Sequence, residues 1–414
     1  MQKYQLIILF GYLIVQGFEY WLKFLNLRHM KHFGMNVPRG FEGYIDGAVL
    51  KKTHAYTVET SSLSFVESIF GNIVVIIFIF GGILDLYNSR INSLGLPFAV
   101  NGTLFFLVLS FINTLLSIPF SLYATFRIEN KYGFNTMTAK LWVADFIKSL
   151  LVSTLILGTV LLGGFFIVQL SPDHWWLLAW GFFFVVSIFL MYLSPYVIEP
   201  LFNKFTPLEG GELVEQIRSI MAKVGIRVSR VFTIDASKRS RHTNAYFTGI
   251  GRVKRIVLFD TLVEMMGQGE ILTVLAHEAG HWKKKHVLKR IVVFEFLSLI
   301  GAYITFRILR TDILSGLFHI GGETFFAKLI ILGFIFGIVS FPFTPVSNYF
   351  SRKHEDEADR FAVQTTGDPE SLATSLIKLS KDNLSNLHPH PLYAKFYYSH
   401  PPIVERIGRI RGEA

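Results

Sequence analysis

Two histidines and a glutamate fall at a spacing that suits metal chemistry. His277-Glu278-Ala279-Gly280-His281 is an H-E-x-x-H stretch inside an apolar helical pattern marked by Ile271, Leu272 and Leu275. Residues four apart on a helix share a face, so both imidazoles can bind one ion while Glu278 stands beside it, free to take a proton from water. Three uncommon residues are specified, so chance occurrence in a chain of this length is on the order of one in a hundred. A catalytic zinc ion takes three protein ligands and leaves one position for water, which demands a third ligand from elsewhere. The segment Ser351-Arg352-Lys353-His354-Glu355-Asp356-Glu357-Ala358-Asp359 is the best source. As a helix it places Glu355 and Asp359 on one face and turns Glu357 away. Glu355 can ligate, and Asp359 can hold a ligand imidazole by its second nitrogen. His354 competes as a ligand, and an exposed acidic run with helical charge pairing is the plain alternative. The chain has no cysteine, so a thiolate site and a disulfide framework are both excluded.

The elements that must position these groups are largely membrane helices. The 414 residues are only 17% charged, with a mean hydropathy of +0.44, unlike an ordinary soluble domain. Apolar windows near residues 5–25, 63–86, 97–123, 141–170, 174–198, 287–309 and 325–350 match the ~20 residues that cross a bilayer. Lys3 before an apolar run resembles a signal peptide, but no small-residue cleavage site precedes Phe18-Glu19-Tyr20-Trp21, so a retained first span is expected. The net charge of +10 lies between spans and not on one polar domain, which points to topology and away from nucleic acid. Arg28, Lys31, Arg39, Lys51 and Lys52, then Arg127, Lys131 and Lys140, put alternate loops on the cytoplasmic side. The N-terminus is then outside and the C-terminus cytoplasmic.

The expected fold is mainly α: a polytopic helical membrane protein of about seven spans with a small α+β zinc-protease domain at the cytoplasmic face. Residues 1–199 hold about five spans, 200–286 the domain with the H-E-x-x-H helix, 287–350 the last two spans, and 351–414 the rest of the domain with the third ligand. Within the domain, Leu213, Ile217, Ile220, Met221 and Val224 mark an amphipathic helix that stops at Gly225. Val228–Ile234 and Ile256–Phe259 read as strands that flank the polar stretch Ser237–His242. The cluster Lys283-Lys284-Lys285-His286 reads as an interfacial anchor. Glu67, Asn72, Asn113, Asp145, Lys148 and Glu295 fall in or near apolar windows, where they mark either helix ends or a hydrated chamber beneath the metal.

At this point the chain resembles a family, the type I CAAX prenyl endopeptidases, over nearly its whole length. The resemblance rests on Ile128-Glu129-Asn130-Lys131-Tyr132-Gly133-Phe134-Asn135, on Asn244-Ala245-Tyr246-Phe247, on the H-E-x-x-H helix, on Glu355 to Asp359, and on Ser399-His400-Pro401-Pro402 with Glu405-Arg406. It implies one zinc ion (Zn2+) per chain with His277, His281 and Glu355 as ligands, Glu278 as general base and Asp359 behind a ligand. It further implies that Asn244 and His400 face the substrate or the developing oxyanion and that Arg406 organises the site; local pattern alone favours structural roles for these three. Asp356 departs from the family, which usually has an aromatic residue there. The implied partners are the lipid bilayer and a peptide or protein substrate cut near its C-terminus, with or without a prenyl group on a C-terminal Cys. No nucleic acid is implied, and the membrane is either the bacterial inner membrane or the endoplasmic reticulum. An extended peptide could pair its main chain with the Asn244–Phe247 strand. The alternatives are a broader membrane quality-control protease with the same chemistry and a channel or transporter with structural zinc. The latter needs a closed four-ligand site, and the free Glu278 argues against it.

Overall fold

The computed structural model describes residues 3–208, 210–248, 253–322 and 325–412. Five helices long and apolar enough to cross a membrane come first: α1 (Lys3–Phe33), α2 (Gly47–Phe80), α3 (Phe98–Tyr132), α4 (Ala139–Leu170) and α5 (Trp175–Phe202). A polar unit follows, with β1 (Phe205–Pro207), α6 (Glu212–Lys223), β2 (Arg227–Ile234), β3 (Ala245–Thr248), β4 (Val253–Phe259) and α7 (Gln268–Lys283). Two more candidate spans, α8 (His286–Leu309) and α9 (Phe325–Thr366), lead to α10 (Pro369–Asp382), α11 (Pro391–Tyr397) and α12 (Ile403–Ile410).

Several helices outrun their apolar windows. The 34 residues of α2 reach about 50 Å, against a hydrocarbon core of about 30 Å. Its polar first half is helical because Asp46 caps it, accepting the Val49 N–H at 2.8 Å. The last span behaves alike: α9 passes through a 3-10 turn at Phe341–Phe343, where Pro342 lacks an amide donor, and then continues as the helix that carries Glu355 and Asp359.

The sheet order is β1-β2-β4-β3, with β2 and β4 parallel and the other pairs antiparallel. β3 is therefore an edge strand. Val214, Ile217 and Met221 of α6 pack with Ile256 and Leu258 of β4 and with Ile271, Leu275 and Ala279 of α7 in one core. Gly225, in the left-handed region at φ 82°, ends α6 where glycine was expected to stop it.

Three membrane helices grip the segment before and within β3. Both α3 and α5 end in a π turn, at Ala124–Glu129 and Ser194–Ile198, a deviation often found at functional sites. At the first turn, Glu129 accepts from the Tyr56 hydroxyl at 2.7 Å and meets His242 Nε2 at 3.3 Å. Just past the second, Glu199 accepts from the Tyr246 hydroxyl at 2.6 Å. Asp145 of α4 takes a forked pair of bonds from Arg239, at 2.7 and 3.2 Å. Several of the polar residues in apolar windows thus have partners, among them Asp145, and Asn72, which bonds to Tyr12, Gln16 and Tyr20. Lys148 reaches the Leu201 carbonyl at 3.1 Å, and the Glu295 carbonyl receives Trp180 Nε1 at 3.2 Å. Glu67 and Asn113 are exposed.

Gly102 lies where α3, α4 and α9 meet, and a Cβ there would overlap the ring of Phe326 and come within 2.8 Å of Phe165. Overpacking of this kind costs about 1–3 kcal/mol. Gly102→Leu is expected to lower the thermal unfolding midpoint in detergent by several degrees, measured by tryptophan fluorescence; an unchanged midpoint would mean that this contact is loose.

Candidate metal centre

α7 and α9 approach unusually closely because small residues line their seam. Ala276, Ala279, Ala358 and Ala362 are all fully buried. A Cβ on Gly280 would lie 3.1 Å from Ala358 Cα and 3.2 Å from Phe361 Cβ, tighter than most packed Cβ contacts. Gly280, one of the unspecified positions in H-E-x-x-H, therefore sets the distance between the two helices.

That approach brings three donor groups together. His277, His281 and Glu355 each offer one atom, and these atoms lie within 4.8 Å of one another. The two Nε2 atoms are 3.1 Å apart, and Glu355 Oε2 and Oε1 lie 3.4 and 3.3 Å from them. Glu355 is buried and its Oε2 has no hydrogen-bond partner among the described residues. Buried lone pairs that face one another repel unless a cation stands between them. Two imidazoles and one carboxylate suit a divalent transition metal with a position left open, so the residues present fit such an ion. The electrostatics agree: burial disfavours a charged His277, yet Asp359 and Glu355 outweigh it and lift its pKa to about 9. Positive charge is favoured here.

The surroundings orient these groups. His277 Nδ1 lies 2.8 Å from Asp359 Oδ1, and Arg406 of α12 grips Asp359 with two bonds of 2.8 and 2.6 Å. His400 exposes most of its ring, with Nε2 3.4 Å from Glu355 Oε1. Asn244 precedes β3; its Oδ1 accepts from the next N–H at 2.8 Å, and its carbonyl receives the Phe259 N–H. Glu278 has no hydrogen bond or ion pair among the described residues, and burial pushes its carboxyl up, against the pull of the two imidazoles. Asp356 pairs with Arg409 at 2.6 Å, which gives the acid a partner where an aromatic residue was expected.

One arrangement was missed. The cluster Lys283–His286 is not simply an interfacial anchor. Lys283 donates to the Val224 carbonyl at 3.1 Å, Lys285 turns the chain in the left-handed region at φ 57°, and His286 is buried. Its Nδ1 lies 3.0 Å from His281 Nδ1, and its Nε2 lies 3.1 Å from Glu357 Oε2. His354 stacks on it with ring centres 4.1 Å apart and stays out of the donor cluster. Glu357 does face away from the cluster, yet it reaches His281 through His286. The only sequence signal was a histidine five residues after His281, hidden by three lysines.

Gly280→Val is expected to push α9 away and cut metal content per chain severely, measured by elemental analysis; full occupancy would show that the seam is not what sets the donor distance. Glu355→Ala should lose more metal than Glu357→Ala. His286→Phe keeps the stack on His354 but not the bond to His281, and should weaken metal affinity about 10–100-fold in a chelator competition, with Glu357→Gln showing a smaller effect in the same direction.

Comparison with known proteins agrees with this geometry. Residues 26–204 match the family model described as CAAX prenyl protease N-terminal, five membrane helices, and residues 207–414 match peptidase family M48. CAAX prenyl protease 1 of Saccharomyces cerevisiae is 34% identical, with 97% of this chain and 94% of that protein covered. The CAAX prenyl protease 1 homolog of Homo sapiens is 32% identical over 94% of this chain and 92% of its own. The crystal structure of S. mikatae Ste24p superposes with a TM-score of 0.91 at 31% identity, covering 99% of both chains. The seven candidate spans, the convergent His-His-Glu cluster and these matches together place the chain in peptidase family M48, among the CAAX prenyl proteases, as a multi-pass membrane metalloprotease.

Proposed function

We propose that this chain is a zinc endopeptidase that cuts CAAX-type substrates carrying a prenylated cysteine, near their C-terminus and at the cytoplasmic face of its membrane. The observation that carries the reading is a free glutamate, Glu278, on the same helix as two convergent histidines, opposite a third donor from another helix. His277, His281 and Glu355 would hold the zinc, with Asp359 and Arg406 fixing His277 from behind. When bound, zinc supplies Lewis acidity, which acidifies water and polarises a carbonyl. Glu278 takes the proton from the attacking water on its carboxylate and passes it to the nitrogen of the leaving amine. His400, exposed beside Glu355, donates towards the oxyanion as it forms. The free edge of β3 pairs with the substrate main chain, giving affinity with little sequence demand. Asn244, at the start of that strand, faces the bound peptide. Exposed Glu67 and Asn113, within otherwise apolar helices, support a hydrated space between the spans. The charge pattern of the loops supports the cytoplasmic placement.

Glu278→Gln keeps the shape of the side chain but cannot accept a proton. It is expected to retain zinc and fold while slowing cleavage of a farnesylated CAAX peptide by at least ~10²–10⁴-fold, read by mass spectrometry of the released fragment. Turnover close to wild type would overturn the hydrolytic assignment. Loss of all preference for farnesylated over unprenylated peptide would instead overturn the substrate.

A further inference from the structure

The chain reaches β3 by way of a short pairing with the segment that follows α3. The Arg241 N–H donates to the Phe134 carbonyl at 3.0 Å, the Thr136 N–H donates to the Arg239 carbonyl at 3.3 Å, and Asn135 bridges Ser240. His242 stands at the end of this pairing, just before β3, and both of its ring nitrogens face oxygen. Nδ1 lies 2.6 Å from Oδ1 of Asn383, the residue that caps α10, and Nε2 lies 3.3 Å from Glu129 Oε2 at the π turn of α3. A neutral imidazole has one donor and one acceptor and serves only one of two facing acceptors, whereas an imidazolium donates to both. The Phe134 ring stacks on it with centres 4.4 Å apart, which also favours the cation. The bond to Glu129 accordingly raises the pKa of His242, against the effect of burial. Charged groups on the elements around the ring are engaged elsewhere: Arg239 with Asp145, Asp260 with Ser237, Lys131 and Arg127 with Glu59, and Asp382 with Lys381 and Lys378. Tyr56 donates to the other oxygen of Glu129.

β4 holds one side of β3, and the placement of the free edge follows from what precedes it. His242 ties that approach to two bodies at once. Through Glu129 it is fixed to α3. Through Asn383 it is fixed to α10, whose Lys378 grips Glu270 at 2.6 Å in the first turn of α7, the helix of His277 and His281. Thr243, the next residue, and Asn383 share a cavity wall with His400 and Arg406 of the metal centre. Resting on the endopeptidase reading above, we propose that His242 is a positioning residue for the substrate: as an imidazolium bonded to Glu129 and Asn383, it holds the free edge of β3 where a peptide paired with it reaches the metal centre. Deprotonation turns a lone pair towards one of the two oxygens, releases that bond and lets the edge shift. Peptide affinity is then full while His242 is charged, and falls as pH rises through its raised pKa.

The test uses the full-length, zinc-loaded protein in detergent and two probes between about pH 6 and pH 9. One is a farnesylated CAAX peptide, whose cleavage gives kcat by mass spectrometry. The other is the same peptide with a non-titrating hydroxyethylene group at the scissile bond, whose equilibrium binding is read by fluorescence. In wild type the dissociation constant of the uncut probe should rise about three- to fivefold, the scale of a half-exposed ion pair, with a midpoint above the ~6.5 of an ordinary histidine. Glu129→Gln keeps an acceptor but no charge, so the midpoint should move down towards ~6.5. His242→Gln should bind weakly throughout with no such midpoint, while its kcat at saturating peptide stays within about twofold of wild type. A wild-type constant that does not change with pH, as a neutral ring facing a turned Asn383 amide requires, overturns the proposal. So does a midpoint that either variant retains unmoved, which would belong to another group such as His400 or Glu278. A kcat that falls as much as affinity in both variants would mark general damage to the fold, and contradicts a positioning role. If the wild type fails to cut the farnesylated peptide while the uncut probe shows the His242 midpoint, the endopeptidase reading falls and the positioning role stands.

Discussion

The close contact between α7 and α9 is the constraint on which the rest depends. Donors far apart in sequence can converge only if the two helix axes approach within side-chain-free distance at Gly280 and Ala358. The alanines around them add little directional chemistry; their contribution is to have no bulk. Once the seam is closed, His277 and Glu355 face each other in a buried space where a cation offsets their repulsion. A metal ion at that point would in turn bind the last membrane helix to the polar unit, so folding and metal affinity are coupled.

Around this seam, each histidine of the cluster is backed by a different chain of contacts. Behind His277 stand Asp359 and then Arg406, which ties in α12 at the C-terminal end. Behind His281 stand His286 and then Glu357. Both relays end in charged groups, and both use residues of α9 within four positions of Glu355. The same helix thus presents a donor and the orienting groups for the other two donors. The membrane helices act on a different part of the unit. Glu129, Asp145 and Glu199 hold His242, Arg239 and Tyr246, so the position of β3 follows the ends of α3, α4 and α5. A motion of those helices would move the edge strand relative to the metal centre.

Much of this was legible in the sequence, for identifiable reasons. Helical periodicity places His277, His281, Glu355 and Asp359 by spacing alone, because a helix leaves no freedom in which residues share a face. The spans were visible from hydropathy, but their ends were not: capped polar turns such as those after Asp46 extend helices beyond the lipid, and hydropathy is blind to them. The sequence reading leaves β2 one residue short and β4 three residues short and sets β3 one residue out of step, as happens for short strands without strong turn signals. His286 was hidden because its role depends on a chain reversal at Lys285. Asn244, His400 and Arg406 rest on the family resemblance, and of these Arg406 and His400 are the ones that lie against Glu355.

Zinc K-edge X-ray absorption on the purified protein tests the central claim most directly, since it reads the atoms around the metal without reference to activity. The expected spectrum has one zinc per chain, two imidazole nitrogens at ~2.0–2.1 Å and lighter oxygen scatterers filling the remaining positions. Glu355→Ala should change the oxygen shell and leave the imidazole signature in place. A shell with four imidazoles or with no imidazole, or a Glu355→Ala spectrum identical to wild type, would contradict the assignment of His277, His281 and Glu355 as the metal-holding set.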